Sequence, residues 1–307
     1  PFCRLKGVQK RLNPFSEPII TTGILCLNTK RIPVGCKTMI RFDNHIHSHH
    51  SPDSRMELET AARQAVEQSF RGICFSDHYD FDAPEGIALF TFDVEKQQEE
   101  IETVQKKFPE IVLLRGAEIG IQPVSMGSVK NFMRDHVFDT VIASMHFVRG
   151  TDPYHGSYYN GYDYKKAYSI YLEDILYCIE GFADYDILGH FDYVARYAPY
   201  REHIISLKDF GEILDPILRM LAENGKTFEI NTKTYQSFPY GTPQLDLQIL
   251  RRFRELGGDA VSLGSDAHGP ERIGDRFGYY SEVLKQCGYR YGVFYRNRKP
   301  EYFKIDM

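Results

Sequence analysis

From residue 40 onward the sequence repeats one unit: a short apolar stretch, a polar turn, then a helix with one apolar face. The apolar stretches fall near residues 40–47, 72–75, 111–114, 138–143, 186–188, 227–230 and 260–263. Between and after them, helical periodicity covers about 55–70, 93–108, 129–134, 164–182, 207–223 and 245–256, with a last helix reaching 286. Ser206 suits the cap of the 207–223 helix and Gly225 its end. Seven strand–helix units in succession demand parallel strands joined by right-handed crossovers. When such a sheet closes into a barrel, its chemistry sits where the strands end. The tail at 289–305 has room for one further strand.

The strand ends are where the metal-competent residues fall. In the first stretch Arg41, Asp43, His45 and His47 alternate with Ile40, Phe42 and Ile46, broken at Asn44. That period places His45 and His47 on one face, and the turn at Ser51-Pro52 brings Asp53 back over them. Later stretches end in His78, Glu118, His146, His190, and the pair Asp266 and His268. Six of the 11 histidines therefore end strands and none falls inside an expected helix. A single one would read as a structural imidazole; gathered on one rim they read as a site for several metal ions.

Imidazole and carboxylate donors together suit Zn, Mn or Fe(II), and no cysteine falls on the rim to make a closed thiolate site. Ions a few ångströms apart need an anion between them, and Glu118 at a central strand end is the natural bridge. Clustered divalent ions acidify water and accept phosphoryl oxygens, which is the apparatus for hydrolysing a phosphate ester. A net charge of −5 and a pI near 6.1 give no electrostatic case for binding nucleic acid or an anionic membrane. No apolar run reaches the ~18 residues of a bilayer span. The six scattered cysteines, with Cys74 and Cys178 in apolar runs, fit a reduced cytoplasmic protein.

These motifs resemble those of the PHP (polymerase and histidinol phosphatase) superfamily: His45-x-His47 with Asp53, Ser76-Asp77-His78, Gly116-x-Glu118, Ser144-Met145-His146, Gly189-His190-Phe191-Asp192 and Gly264-Ser265-Asp266-Ala267-His268. The likeness covers about residues 40–285 and leans towards the stand-alone histidinol-phosphate phosphatase branch. It implies a distorted (βα)7, TIM-like barrel carrying two or three divalent ions. His45, His47, Glu118 and Asp266 would hold the first, Glu118, His146 and His190 the second, and Asp53, His78 and His268 the third. Some members carry histidine where this chain has Asp53, which makes its third site richer in oxygen. The implied activity is metal-dependent hydrolysis of a small phosphate ester, L-histidinol phosphate first, by hydroxide held between metals. Another phosphomonoester, or C–N or C–O hydrolysis of the amidohydrolase kind, is the alternative.

Three further residues are candidates for substrate. Arg196 has the planar fork that grips a phosphate, and Arg149, just past His146, is a second basic candidate. His155 lies in a tyrosine-rich loop at 151–164, placed to protonate a leaving alkoxide or meet an imidazole; such loops serve as lids or specificity elements. Together with Glu118 and Asp266, Arg196 and His155 form the expected catalytic group. His49, His50, His136 and His203 are read as non-ligands, with substrate contact left open for His50 and His203, and a homodimer is allowed for. Residues 1–38, with seven Lys or Arg against Glu17 alone, are expected to be an accessory or non-native extension, and 39–307 the catalytic barrel.

Overall fold

Seven strands run parallel and in chain order around one sheet: Phe42–Ile46, Gly72–Asp80, Val112–Gly120, Thr140–Ser144, Ile187–Leu188, Thr227–Asn231 and Val261–Gly264. The first and last also meet. The Asp266 N–H donates to the His45 carbonyl at 2.7 Å and the His47 N–H to the Ala267 carbonyl at 2.8 Å, which nearly closes the barrel. This is a computed structural model describing residues 41–84 and 89–305; the expected extension at 1–38 lies outside the described residues. The seven-fold, distorted barrel read from the sequence is what the chain forms.

The second and third strands are longer than their apolar cores, because both continue as strand through polar residues to Asp80 and Gly120. His78 pairs in register with Glu118, so the two side chains stand next to each other on one face of the sheet. The first helix, Leu58–Glu67, starts later than expected. The Ser54 hydroxyl donates to the His47 carbonyl at 3.0 Å and accepts from the Met56 N–H, holding the segment before the helix in a turn. The remaining helices are Val94–Lys107, Met126–Asp135, Tyr164–Gly181, Leu207–Glu223, Leu247–Glu255 and Phe277–Gln286, with a single turn at Tyr193–Arg196. Ser206 caps its helix as expected, accepting from the Asp209 N–H, and Gly225 ends it with φ +61°.

The tail forms two strands rather than one. Tyr291–Arg296 and Lys299–Lys304 pair antiparallel, turning through Asn297 and Arg298, both at positive φ as a tight hairpin requires. The hairpin packs on the strands' starts. Phe294 stacks on Phe42 with ring centroids 4.2 Å apart, and the Thr140 hydroxyl donates to the Tyr295 carbonyl. Asn44, the residue that broke the first strand's alternation, donates its side-chain amide to the Val293 carbonyl at 3.0 Å. One mouth of the barrel is thus plugged, leaving the carboxyl ends of the strands open for chemistry. Cys74, Cys178 and Cys287 are buried free thiols.

Candidate metal centre

Glu118 is the hub of the open rim. Its carboxylate lies within 2.8–3.4 Å of ring nitrogens from five histidines: His190, His78, His45, His146 and His47. Burial alone would raise this carboxyl, yet the imidazoles of His45, His146 and His78 hold it well below the ordinary carboxylate range.

The orientation of each ring is set from behind. The His45 Nδ1–H donates to Glu229 Oε1 at 2.8 Å, and the His146 Nδ1–H to Asp80 Oδ1 at 2.8 Å. For His47 the partner is Ser51: that hydroxyl gives its own proton to Asp77 Oδ1 and is left to accept from His47 Nδ1, 3.1 Å away. All three rings therefore turn Nε2 inwards, and each Nε2 offers a lone pair once its proton has left. His45 Nε2 and His47 Nε2 face each other at 3.1 Å, with Glu118 Oε2 3.2 and 3.4 Å from them. Three acceptor atoms meeting so closely need a cation among them. Ligands of a tetrahedral ion with bonds of ~2.0–2.1 Å lie about 3.3 Å apart, so these residues fit a divalent metal. The unpaired buried atoms Glu118 Oε2 and His78 Nδ1, 3.0 Å apart but not aligned for a hydrogen bond, say the same.

His190 Nε2 lies 3.3 Å from His146 Nε2 and 2.8 Å from Glu118 Oε1; burial pushes its pKa down to about 4. Asp53 reaches the rim from its turn, with Oδ2 2.9 Å from His268 Nε2 and 3.7 Å from His78 Nε2. His47, His78 and His268 also place ring nitrogens within 4.8 Å of one another. Asp266 has the left-handed φ of +51°, and its Oδ1 comes 3.5 Å from His47 Nε2. The nine residues expected as ligands thus share one rim.

A cavity of about 520 Å³ opens over this rim, and Phe147, Asp152, Tyr154, His155, Tyr193 and Tyr197 line it beside the rim residues. The substrate candidates separate here. His155 lines the cavity. Arg196 lines it too but is already engaged: Nε donates to the Thr234 hydroxyl at 3.0 Å, and both terminal nitrogens reach Asp266 Oδ2 at 3.3 Å. Arg149 is placed elsewhere, a half-exposed fork on Asp174 at 2.9 and 3.2 Å, outside the cavity lining. Of the three substrate candidates, Arg149 is the one that the structure does not bring to the cavity. The tyrosine loop is likewise more anchored than a lid: Tyr158 and Tyr159 are buried and donate to the carbonyls of Ala167 and Val194.

A search of known families finds the PHP domain matching residues 43–233. This chain belongs to the PHP family. A histidinol-phosphatase from Lactococcus lactis is 34% identical over 253 residues, 82% of this chain and 93% of that protein. A probable histidinol-phosphatase from Clostridium acetobutylicum is 30% identical, covering 85% of this chain and 99% of its own length. Among solved structures, a histidinol phosphate phosphatase from Lactococcus lactis complexed with Zn, L-histidinol and phosphate matches with a TM-score of 0.77 at 30% identity. It covers 85% of this chain and 98% of its own.

In this PHP barrel the residues that orient the candidate ligands escaped the sequence reading. Glu229 sits inside the sixth strand, two residues before Asn231, where only an apolar run was apparent. Two glycines were the available signal. A Cβ at Gly264 would collide with Glu229 Oε1 and His45 Cβ, and one at Gly120 with Asp80 Oδ1. Each glycine makes room for a carboxylate that supports a candidate ligand histidine. Lys233 was also missed: its Nζ lies 3.0 Å from Asp266 Oδ1 and 3.2 Å from His268 Nδ1 at the cavity wall. Among the described residues no helix is long and apolar enough to cross a membrane.

Proposed function

We propose that this chain hydrolyses L-histidinol phosphate to L-histidinol and inorganic phosphate in a metal-dependent reaction. The observation that carries this reading is the match, over 98% of its length, to a histidinol phosphate phosphatase whose structure holds Zn, L-histidinol and phosphate. His45, His47, Glu118 and Asp266 would hold one divalent ion, Glu118, His146 and His190 a second, and Asp53, His78 and His268 a third. Zinc is favoured, and manganese and iron(II) suit the same donors. Bound there, such ions supply Lewis acidity toward phosphoryl oxygens and acidify water.

The chain's own residues do the rest. Glu229, Asp80 and Ser51 fix the ligand rings, so that the site does not reorganise as charge develops. Lys233 offers a positive charge to the phosphate end of the cavity. Arg196 holds Asp266 in place and lies beside the same region. His155, which lines the cavity, is the proton donor for the leaving alkoxide. The aromatic rings of Phe147, Tyr193 and Tyr197 give an imidazole flat apolar surfaces, and Asp152 gives a cationic group its counter-ion.

The test is phosphate release from L-histidinol phosphate beside a panel of other phosphomonoesters, with Zn, Mn and Fe(II) supplied in turn. A strong preference for histidinol phosphate is expected. Equal rates across the panel would keep the metal-dependent phosphatase and discard the substrate. No release by metal-loaded protein would discard both.

A further inference from the structure

The turn after the first strand carries two histidines that the rim does not use. His49 and His50 stack with ring centroids 4.5 Å apart, and both reach across to one atom on the helix Val94–Lys107. Glu100 Oε2 lies 3.2 Å from His49 Nε2 and 2.9 Å from His50 Nε2. The three donor atoms all lie within 4.8 Å of one another. Behind His49, Nδ1 is buried without a hydrogen bond and stands 3.4 Å from Glu57 Oε2. The turn is held in this shape by its backbone, since the His49 N–H donates to the Met56 carbonyl and the His50 N–H to the Ser48 hydroxyl.

Both rings turn Nε2 onto the same carboxylate oxygen, a convergence of three donor atoms on one point. One divalent ion satisfies both rings and the carboxylate together. We propose that His49, His50 and Glu100 form a separate site for a zinc-class divalent ion, with Glu57 orienting His49. Two imidazoles and a carboxylate are a common zinc donor set, and a carboxylate behind a ligand histidine fixes its tautomer and direction. His49 and Glu100 are each 32% exposed, so a fourth position stays open to water or to an external ligand. None of these residues lines the cavity over the rim. The turn that the ion would tie to the helix also carries Ser51 and Asp53, so its occupancy stiffens the segment that supports the rim.

The experiment is equilibrium dialysis of rim-loaded enzyme against micromolar free zinc, with bound zinc counted by elemental analysis. Wild type should hold one equivalent more than Glu100→Gln or His50→Gln, and turnover should be the same in all three. Wild type should also melt higher with zinc in the dialysate than without, a rise that Glu100→Gln lacks. Equal zinc counts in wild type and Glu100→Gln overturn the proposal. Should His50→Gln fail to fold, Glu100→Gln decides, because its side chain stands on a partly exposed helix surface.

Discussion

Glu229 Oε1 lies 2.8 Å from His45 Nδ1, and neither side chain is open to solvent. The other oxygen, Oε2, accepts the backbone N–H of His190 at 2.9 Å. One carboxylate on the sixth strand therefore sets two candidate ligands, on the first strand and just past the fifth. Glu229→Gln should lower the affinity of the rim for zinc by about 10- to 100-fold, the usual cost of losing such a partner. Zinc retention against a graded chelator measures it. Wild-type retention would show that His45 needs no carboxylate behind it.

Arg196 is buried and its fork is spent on Asp266, Asn231 and Thr234. Its guanidinium resists burial's pull towards neutrality because Asp266 lies beside it. Arg196→Ala removes one of two cationic partners of the buried Asp266, Lys233 keeping the other, so about 1.5–3 kcal/mol of stability is expected to be lost. Denaturant unfolding would read this directly. A clamp that acted on phosphate alone would instead raise KM and leave the unfolding midpoint where it was.

The barrel and its rim were legible in the sequence because both follow from short-range periodicity. His45 and His47 sit two apart at the end of one strand, and an imidazole or carboxylate closes six of the seven apolar runs. The supporting groups were not legible, since each works across strands far apart in the chain. Glu229 and His45 are 184 residues apart, and Asp80 and His146 are 66 apart. Arg196 shows the same limit from the other side: its proximity to His190 suggested a free fork, and only folding revealed that Asp266, 70 residues on, occupies it. The tail was misjudged for a local reason, because Asn297 and Arg298 adopt positive φ without a glycine to announce the turn.

The metal-free protein should lose stability as pH rises, while its metal affinity increases. Burial alone would depress His45 and His146, but Glu118 with Glu229, and Asp80 with Glu118, hold both well above the ordinary value of 6.5. A raised imidazole stabilises the fold fully below the unfolded-state value, and that contribution is lost as pH climbs through the folded-state one. Glu118 stays ionised throughout. His190 and His47, both depressed by burial, stay neutral in the fold and add stability as their unfolded forms lose protons near 6.5, so they oppose the loss only up to about pH 7. The melting temperature of metal-free protein should therefore fall as pH climbs above about 7. Zinc affinity should rise over the same span, because the ion competes with the protons on His45 and His146. A flat melting profile would mean that these histidines are not charged in the metal-free fold.

Asp152 gives the most direct test of the substrate. Its Oδ1 accepts from the Tyr193 hydroxyl at 3.1 Å and from the Tyr154 N–H at 2.8 Å, which fixes the carboxylate at the cavity wall. Burial raises its pKa, so loss of solvent has already weakened its hold on charge and a cationic ligand would restore it. L-histidinol phosphate brings an ammonium group, whereas an aryl phosphate does not. A hydrogen bond to a charged group is worth about 1.5–3 kcal/mol, so Asp152→Asn should raise KM for L-histidinol phosphate by roughly 10- to 100-fold. Turnover of the aryl phosphate should stay near the wild-type rate, because none of the candidate metal ligands rests on Asp152. Equal losses on both substrates would assign Asp152 to shaping the cavity, and a loss on neither would place the ammonium group elsewhere.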